Sequence, residues 1–161
     1  MEVFIKEINI YHFLNEIKES IETLIEQNKN TFIFDISDGL TTLQSDSTKL
    51  RQIIYNIIGN AAKFTSHGQV IVKTINTEKN LIVFISDTGI GMTKEQLTNL
   101  ASRFTQAEIS TTRKYGGTGL GMSLTKHLTD LPKIQLIVKS TPDKGTSFEL
   151  IIPLDYHAAC I

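Results

Sequence analysis

The sequence predicts an α+β sandwich, with about three long helices on one face of a mixed, mostly antiparallel sheet of about five strands. Three observations predict it. Apolar stripes at helical spacing recur in three long stretches, and short alternating or apolar runs bounded by turn signals recur five times. The joins between strands are short and hairpin-like near residues 77–80 and 142–145, not regular strand–helix–strand crossovers. A chain of 161 residues suits one domain with its own core. No internal repeat, low-complexity segment or linker divides it, so one domain over residues 1–161 is expected.

The elements follow in order. Asn9 stands as an N-cap before Phe13, Ile17, Ile21, Leu24 and Ile25, which recur at helical spacing. Glu16, Lys18, Glu19, Glu22 and Glu26 fill the other faces of that helix. TFIFDIS then alternates Phe32, Phe34 and Ile36 against Thr31 and Asp35, the pattern of a half-buried strand, and Asp38-Gly39 signals a turn. A second helix opens at Asp46 or Ser47, carries Leu50, Ile53, Ile54, Ile57, Ile58 and Ala61 as its stripe, and stops near Ser66-His67-Gly68. QVIVKTI and LIVFIS follow as a hairpin, and the second runs into a glycine loop, DTGIGM. Thr93 and Gln96 form a capping box that starts a short helix through Leu100. Between Ser102 and Tyr115 the pattern turns polar, with Arg103, Arg113 and Lys114, as in a lid between two glycine loops. A third long helix is predicted from about Gly119 to Asp130, ended by Pro132. IQLIVKS and TSFELIIP are the last two strands.

Composition excludes several classes of function. A net charge of -1 gives no electrostatic case for nucleic acid or for an anionic membrane surface. No apolar run approaches the ~20 residues of a membrane helix, and the N-terminus lacks the layout of a signal peptide. A cytoplasmic location follows as the default. The single cysteine, Cys160, offers neither an internal disulfide nor a CxxC metal site, and four separate histidines without HExxH argue against a zinc enzyme.

The chemistry concentrates around GGTGLGM at residues 116–122. Glycine loses the most backbone freedom on folding, so four glycines within six residues need a reason. A phosphate supplies one, because backbone N–H groups approach it closely only where side chains are absent. The glycine spacing fails the G-x-G-x-x-G dinucleotide fingerprint, and Met122 stands where a P-loop needs lysine. Asn56, Asn60 and Lys63, at i, i+4 and i+7, share one stripe of the second helix. They are either the solvated polar edge of that helix or a set that binds a cation and phosphates together. Asp87, at the end of an apolar strand, is either a turn residue or a carboxylate that accepts from the exocyclic amine of adenine.

Taken in order, N-x3-N-x2-K, DTGIG, RFTQ, GGTGLG and GTSF resemble the ATP-binding catalytic domain of sensor histidine kinases. That domain belongs to the wider family shared with gyrase, Hsp90 and MutL. The resemblance covers nearly the whole chain: LRQIIYNIIGNAAKFT looks like the N box, DTGIGM the first glycine box, RFTQAE the F box and GGTGLGM the second glycine box. It implies a Bergerat-type fold and two cofactors, ATP and Mg²⁺. It implies that Asn60 holds the metal with Asn56 beside it, and that Lys63 contacts a phosphate. Asp87 would read adenine with help from a water and Thr146, while Gly89, Gly91 and Met92 make room for the base. Gly117, Thr118, Gly119, Leu120 and Gly121 would meet the phosphates, with Arg103, Arg113 and Lys114 as candidates for γ-phosphate contacts from the lid and Phe104 also on the nucleotide.

The departures carry information too. His12, His67, His127 and His157 lack the context of a phosphoacceptor histidine, so the chain resembles the catalytic part of a longer kinase without its helical hairpin. The hairpin is then the expected partner, a response regulator an indirect one, and the isolated domain a monomer. LTDLPKIQ replaces the usual Gly-Gly turn after the third helix. Gyrase-like ATPases carry a Glu one helical turn before the metal Asn, where it serves as a general base; here that residue is Asn56. This favours transfer to histidine over an ATPase or a serine kinase of the anti-sigma-factor type, and a nucleotide-dependent interaction module without catalysis stays open as an alternative.

Overall fold

The computed structural model describes residues 4–37, 39, 42–96 and 134–155. The strands and helices are β1 (Lys6–Asn9), α1 (Ile10–Gln27), β2 (Thr31–Asp35), β3 (Thr42–Ser45), α2 (Ser47–Lys63), β4 (Gln69–Asn76), β5 (Asn80–Asp87), β6 (Gln135–Thr141) and β7 (Gly145–Pro153). The main sheet runs β2-β4-β5-β7-β6, with β2 parallel to β4 and every other pair antiparallel. It is the mixed five-stranded sheet that the sequence predicts, and its strands are the five predicted runs. Two of the three expected long helices are α1 and α2; the third lies outside the described residues, as does the lid.

Local chemistry sets the helix starts. Asn9 Oδ1 accepts from His12 N at 3.1 Å and caps α1. Asp46 Oδ1 accepts from Lys49 N at 3.1 Å and caps α2, while its Oδ2 accepts from Phe4 N at 2.9 Å. Ile10, Phe13, Leu14, Ile17, Ile21 and Ile25 of α1 are buried, as are Leu50, Ile53, Ile54, Ile57, Ile58 and the alanine pair of α2. Both stripes lie on the sheet face that carries Val70, Val72, Leu81, Val83, Ile85, Leu150 and Ile152. Neither described helix is long and apolar enough to cross a membrane.

The short ribbon of β1 and β3, paired Lys6 with Ser45 through Asn9 with Thr42, is absent from the sequence reading. Each of its strands buries a single large apolar side chain, Ile8 and Leu43, so neither shows an alternation strong enough to read. β2 also ends at Asp35, two residues before the predicted TFIFDIS run does.

One buried side chain fixes the end of α2. Asn30, only 7% exposed, donates from Nδ2 to Ala62 O at 3.3 Å and Thr65 O at 2.8 Å, and accepts from Gly68 N at 3.0 Å. An amide there joins the start of β2, the last turn of α2 and the approach to β4. The polypeptide that leaves α2 is thereby held against the mouth of the sheet, where β5 ends.

Candidate functional site

The site forms where the end of β5, the end of α2 and the β6–β7 turn converge. β5 pairs with β7 so that Asp87 stands opposite Thr146. The chain then leaves β5 as Thr88-Gly89-Ile90-Gly91-Met92, and three neighbours hold it. Ile90 N donates to Phe64 O at 3.2 Å, just past α2. Asp143 N, in the β6–β7 turn, donates to Ile90 O at 2.7 Å. Met92 N donates to Ser140 Oγ of β6 at 2.7 Å.

The glycines are where backbone approaches backbone. A Cβ on Gly89 would meet Phe64 O and stand 2.6 Å from Thr65 Oγ1. Gly91 has φ +68°, and a Cβ there would meet Thr141 O. Gly145 has φ +106°, and a Cβ there would meet Asp87 O. Left-handed backbone combined with contact to a carbonyl leaves no room for any other residue.

Asp87 is partly buried, and burial raises its carboxyl pKa above the ordinary value by disfavouring the charged form. Three groups oppose this by stabilising the carboxylate: the Gly89 N–H, which donates to Oδ1 at 2.8 Å, then the Thr65 hydroxyl, then the Thr146 N–H. Thr65 is 1% exposed, and its hydroxyl, which has no other partner, is buried beside this carboxylate. Ser140 completes the strand side. Its one proton goes to Gly145 O at 3.0 Å, so its oxygen accepts from Met92 N and from the Thr146 hydroxyl at 2.8 Å.

The helix side is sparser. Asn56 and Asn60 are half-buried on α2, and Asn60 Nδ2 donates to Asn56 O at 2.8 Å. That bond turns Asn60 Oδ1, the atom a hard cation takes, away from the helix backbone. Asn56 Nδ2 is buried with no partner. Lys63 is exposed, its Nζ 5.5 Å from the Phe64 ring centroid. A cleft of about 410 Å³ opens beside this end of α2, lined by Lys63, Phe64, Thr88, Ile90 and Asp143 among others.

Of the residues singled out from the sequence, Asp87, Gly89, Gly91, Met92 and Thr146 are brought together directly. Asn56, Asn60 and Lys63 lead along α2 to the Phe64-Thr65 corner that touches Gly89. Arg103, Phe104, Gly117, Thr118, Gly119, Leu120 and Gly121 lie outside the described residues. Thr65 and Ser140 were not singled out. A hydroxyl just after a helix and another before a turn are ordinary surface choices, and only the spatial convergence distinguishes them.

Comparison with known proteins gives the class to which this fold belongs. Residues 45–156 match the family described as histidine kinase-, DNA gyrase B- and HSP90-like ATPases, and the chain belongs to it. It is 32% identical over 157 residues to the autoinducer 2 sensor kinase/phosphatase LuxQ of Vibrio vulnificus (strain CMCP6), covering 93% of this chain and 18% of LuxQ. The chain thus spans less than a fifth of that relative's length. The catalytic domain of histidine kinase ThkA shares its fold at a TM-score of 0.79 and 22% identity, covering 98% of this chain and 99% of that one. ThkA is also known in complex with response regulator protein TrrA, matching at a TM-score of 0.73 and 17% identity over 96% of this chain and 43% of that one. Full-length ShkA in complex with AMPPNP matches at 0.76 and 23% identity, over 95% of this chain and 32% of ShkA.

Proposed function

We propose that the chain binds Mg·ATP and donates the γ-phosphoryl group to a histidine on the dimerisation and phosphoacceptor hairpin of a two-component sensor kinase. The observation that carries this is the setting of Asp87. A half-buried carboxylate, held by the Gly89 and Thr146 N–H groups, presents acceptor capacity to a ligand with an amine to donate. Adenine has one at the required edge, and guanine has a carbonyl there. The Thr146 hydroxyl, donating to Ser140, keeps its lone pairs for a bridging water.

The amides of α2 fit the polar half of the ligand. Asn60 Oδ1 would hold the magnesium ion, and the orphaned Asn56 Nδ2 supplies a buried donor for a phosphate oxygen. When bound, the ion screens the phosphate charge against an incoming nucleophile. Among the described residues no three His, Cys, Asp or Glu side chains cluster to hold a metal, so the remaining ligands would be phosphate oxygens and water. Lys63, exposed and flexible, reaches toward the phosphates as a point charge. Arg103, Phe104 and the second glycine loop at 116–122 complete the site in this reading.

In the transfer, an imidazole nitrogen forms a bond to phosphorus, the bond to the β–γ bridging oxygen breaks, and ADP leaves with that electron pair. Water competes poorly, because Asn56 stands where a general base is needed and an amide takes no proton at neutral pH. The test mixes this chain with a separately made hairpin bearing the acceptor histidine and γ-labelled ATP. Acid-labile, base-stable label on the hairpin is the expected result. Brisk phosphate release by the chain alone, with no label transferred, would overturn this reading in favour of an ATPase.

A further inference from the structure

The face of the sheet turned away from α1 and α2 is unusually apolar for a surface. Ile33 is 37% exposed, Ile75 48% and Ile137 42%. Ile71, Ile82, Phe84 and Ile151 alternate with the core residues of their strands and share this outer face. Cross-strand register joins them into a patch. One row reads Ile75, Ile82, Ile151, and the next reads Asp35, Lys73, Phe84, Glu149, Ile137. An apolar patch of this extent, with Lys73 and Glu149 set within it, marks an interaction surface rather than a solvated one.

The charges identify the occupant. In the second row Lys73 and Glu149 flank Phe84 symmetrically, one strand to either side on β4 and β7. A two-fold axis along β5 turns a second copy face to face so that its β7 lies over β4 of the first. Across the three central strands Lys73 of each copy then meets Glu149 of the other, Phe84 meets Phe84, and Ile75 meets Ile151, while at the sheet edges Asp35 faces Ile137 and Ile33 faces Lys139. An axis across the strands would instead set Lys73 on Lys73 and Glu149 on Glu149. We propose that the outer sheet face is a self-complementary surface, and that two copies of this chain pair through it about an axis parallel to β5, as an isologous sheet-on-sheet dimer. This departs from the monomer expected from the sequence, and it stands apart from the nucleotide chemistry, whose residues lie at the other end of β5 and on α2.

Sedimentation of the full chain from about 1 μM to about 1 mM tests it. The expected result is a reversible monomer–dimer equilibrium. Lys73→Glu and Glu149→Lys should each weaken association about 100-fold, because either reversal creates two like-charge contacts across the axis. The double variant restores both pairs and should return the dimer. Both substitutions lie on the outer sheet face, and unchanged thermal melting of the three variant monomers verifies that folding is intact. A chain that stays monomeric up to the highest concentration overturns the proposal. So does association indifferent to the single reversals, or a double variant no better than the singles.

Discussion

Asp87 sits where four stretches of chain converge, whereas Asn56 and Asn60 stand on a single helix with one bond between them. Around Asp87 the fold is over-determined. The register of β5 and β7, the Phe64 carbonyl, the Asp143 N–H and the Ser140 hydroxyl all hold the same few residues. Along α2 a buried amide nitrogen is left without a partner. Under the proposed function the difference is a division of labour. A base is flat and rigid, so it is selected best by a carboxylate that cannot move. Phosphates and a cation bring their own charge and hydration, so a side that is to meet them would keep unspent hydrogen-bonding groups for their arrival.

The largest effect should come from breaking the rigid side at its backbone. Gly145→Ala places a Cβ against the Asp87 carbonyl at φ +106° and should cost about 3 kcal/mol or more, read as a lowered midpoint in urea. Breaking the open side should look different. Asn60→Ala should leave the unfolding midpoint nearly unchanged, yet lower Mg²⁺-dependent ATP affinity by about 100-fold in calorimetry. Equal ADP and ATP affinities with and without Mg²⁺ in the parent protein would remove the basis for that distinction.

Asp87→Asn sharpens the comparison, because affinity and stability should move in opposite directions. Loss of a charge-assisted bond to adenine should weaken binding by roughly 10- to 150-fold. Stability should rise at neutral pH. Folding raises the pKa of this carboxyl, so between the unfolded and folded values the native state binds more protons, and stability falls as pH increases through that window. Asparagine retains an Oδ1 for the Gly89 N–H and carries no charge to desolvate. Its advantage in melting temperature should therefore be present at pH 7 and vanish as the pH falls through the ordinary carboxylate range. The smallest effect is expected from Ser140→Ala, which strands the Met92 N–H. It should cost about 1–2 kcal/mol of stability and weaken ATP binding only a few-fold. An unchanged melting temperature would mean that a water takes the place of the hydroxyl.

Much of this architecture was legible in the residues. α2 announces itself through the Asp46 cap and an unbroken apolar stripe from Leu50 to Ala61, and β4 and β5 through Val, Ile and Leu runs bounded by Gly68, the 77–80 turn and Asp87. The capping box at Thr93 also forms as expected, with Thr93 N donating to Gln96 Oε1 at 2.8 Å and Gln96 N to Thr93 Oγ1 at 3.1 Å. Such signals are local, since each arises from residues a few positions apart that share one face or one turn.

By itself the sequence determined the two helices, the five strands of the main sheet and the types of group available for chemistry: two amides and a lysine on one helical stripe, a carboxylate at a strand end, and glycine loops. Periodicity and capping act over a few residues, so the chain carries them wherever it goes. Tertiary structure alone decided that β2 lies parallel to β4, that β1 pairs with β3, and that β7 rather than β6 is the neighbour of β5. From that order came the pairing of Asp87 with Thr146, the recruitment of Ser140 and Thr65, and the Lys73–Phe84–Glu149 row on the outer face. These contacts join residues tens of positions apart. Each depends on where whole elements pack to bury their apolar faces, and no local pattern of residue types encodes that choice.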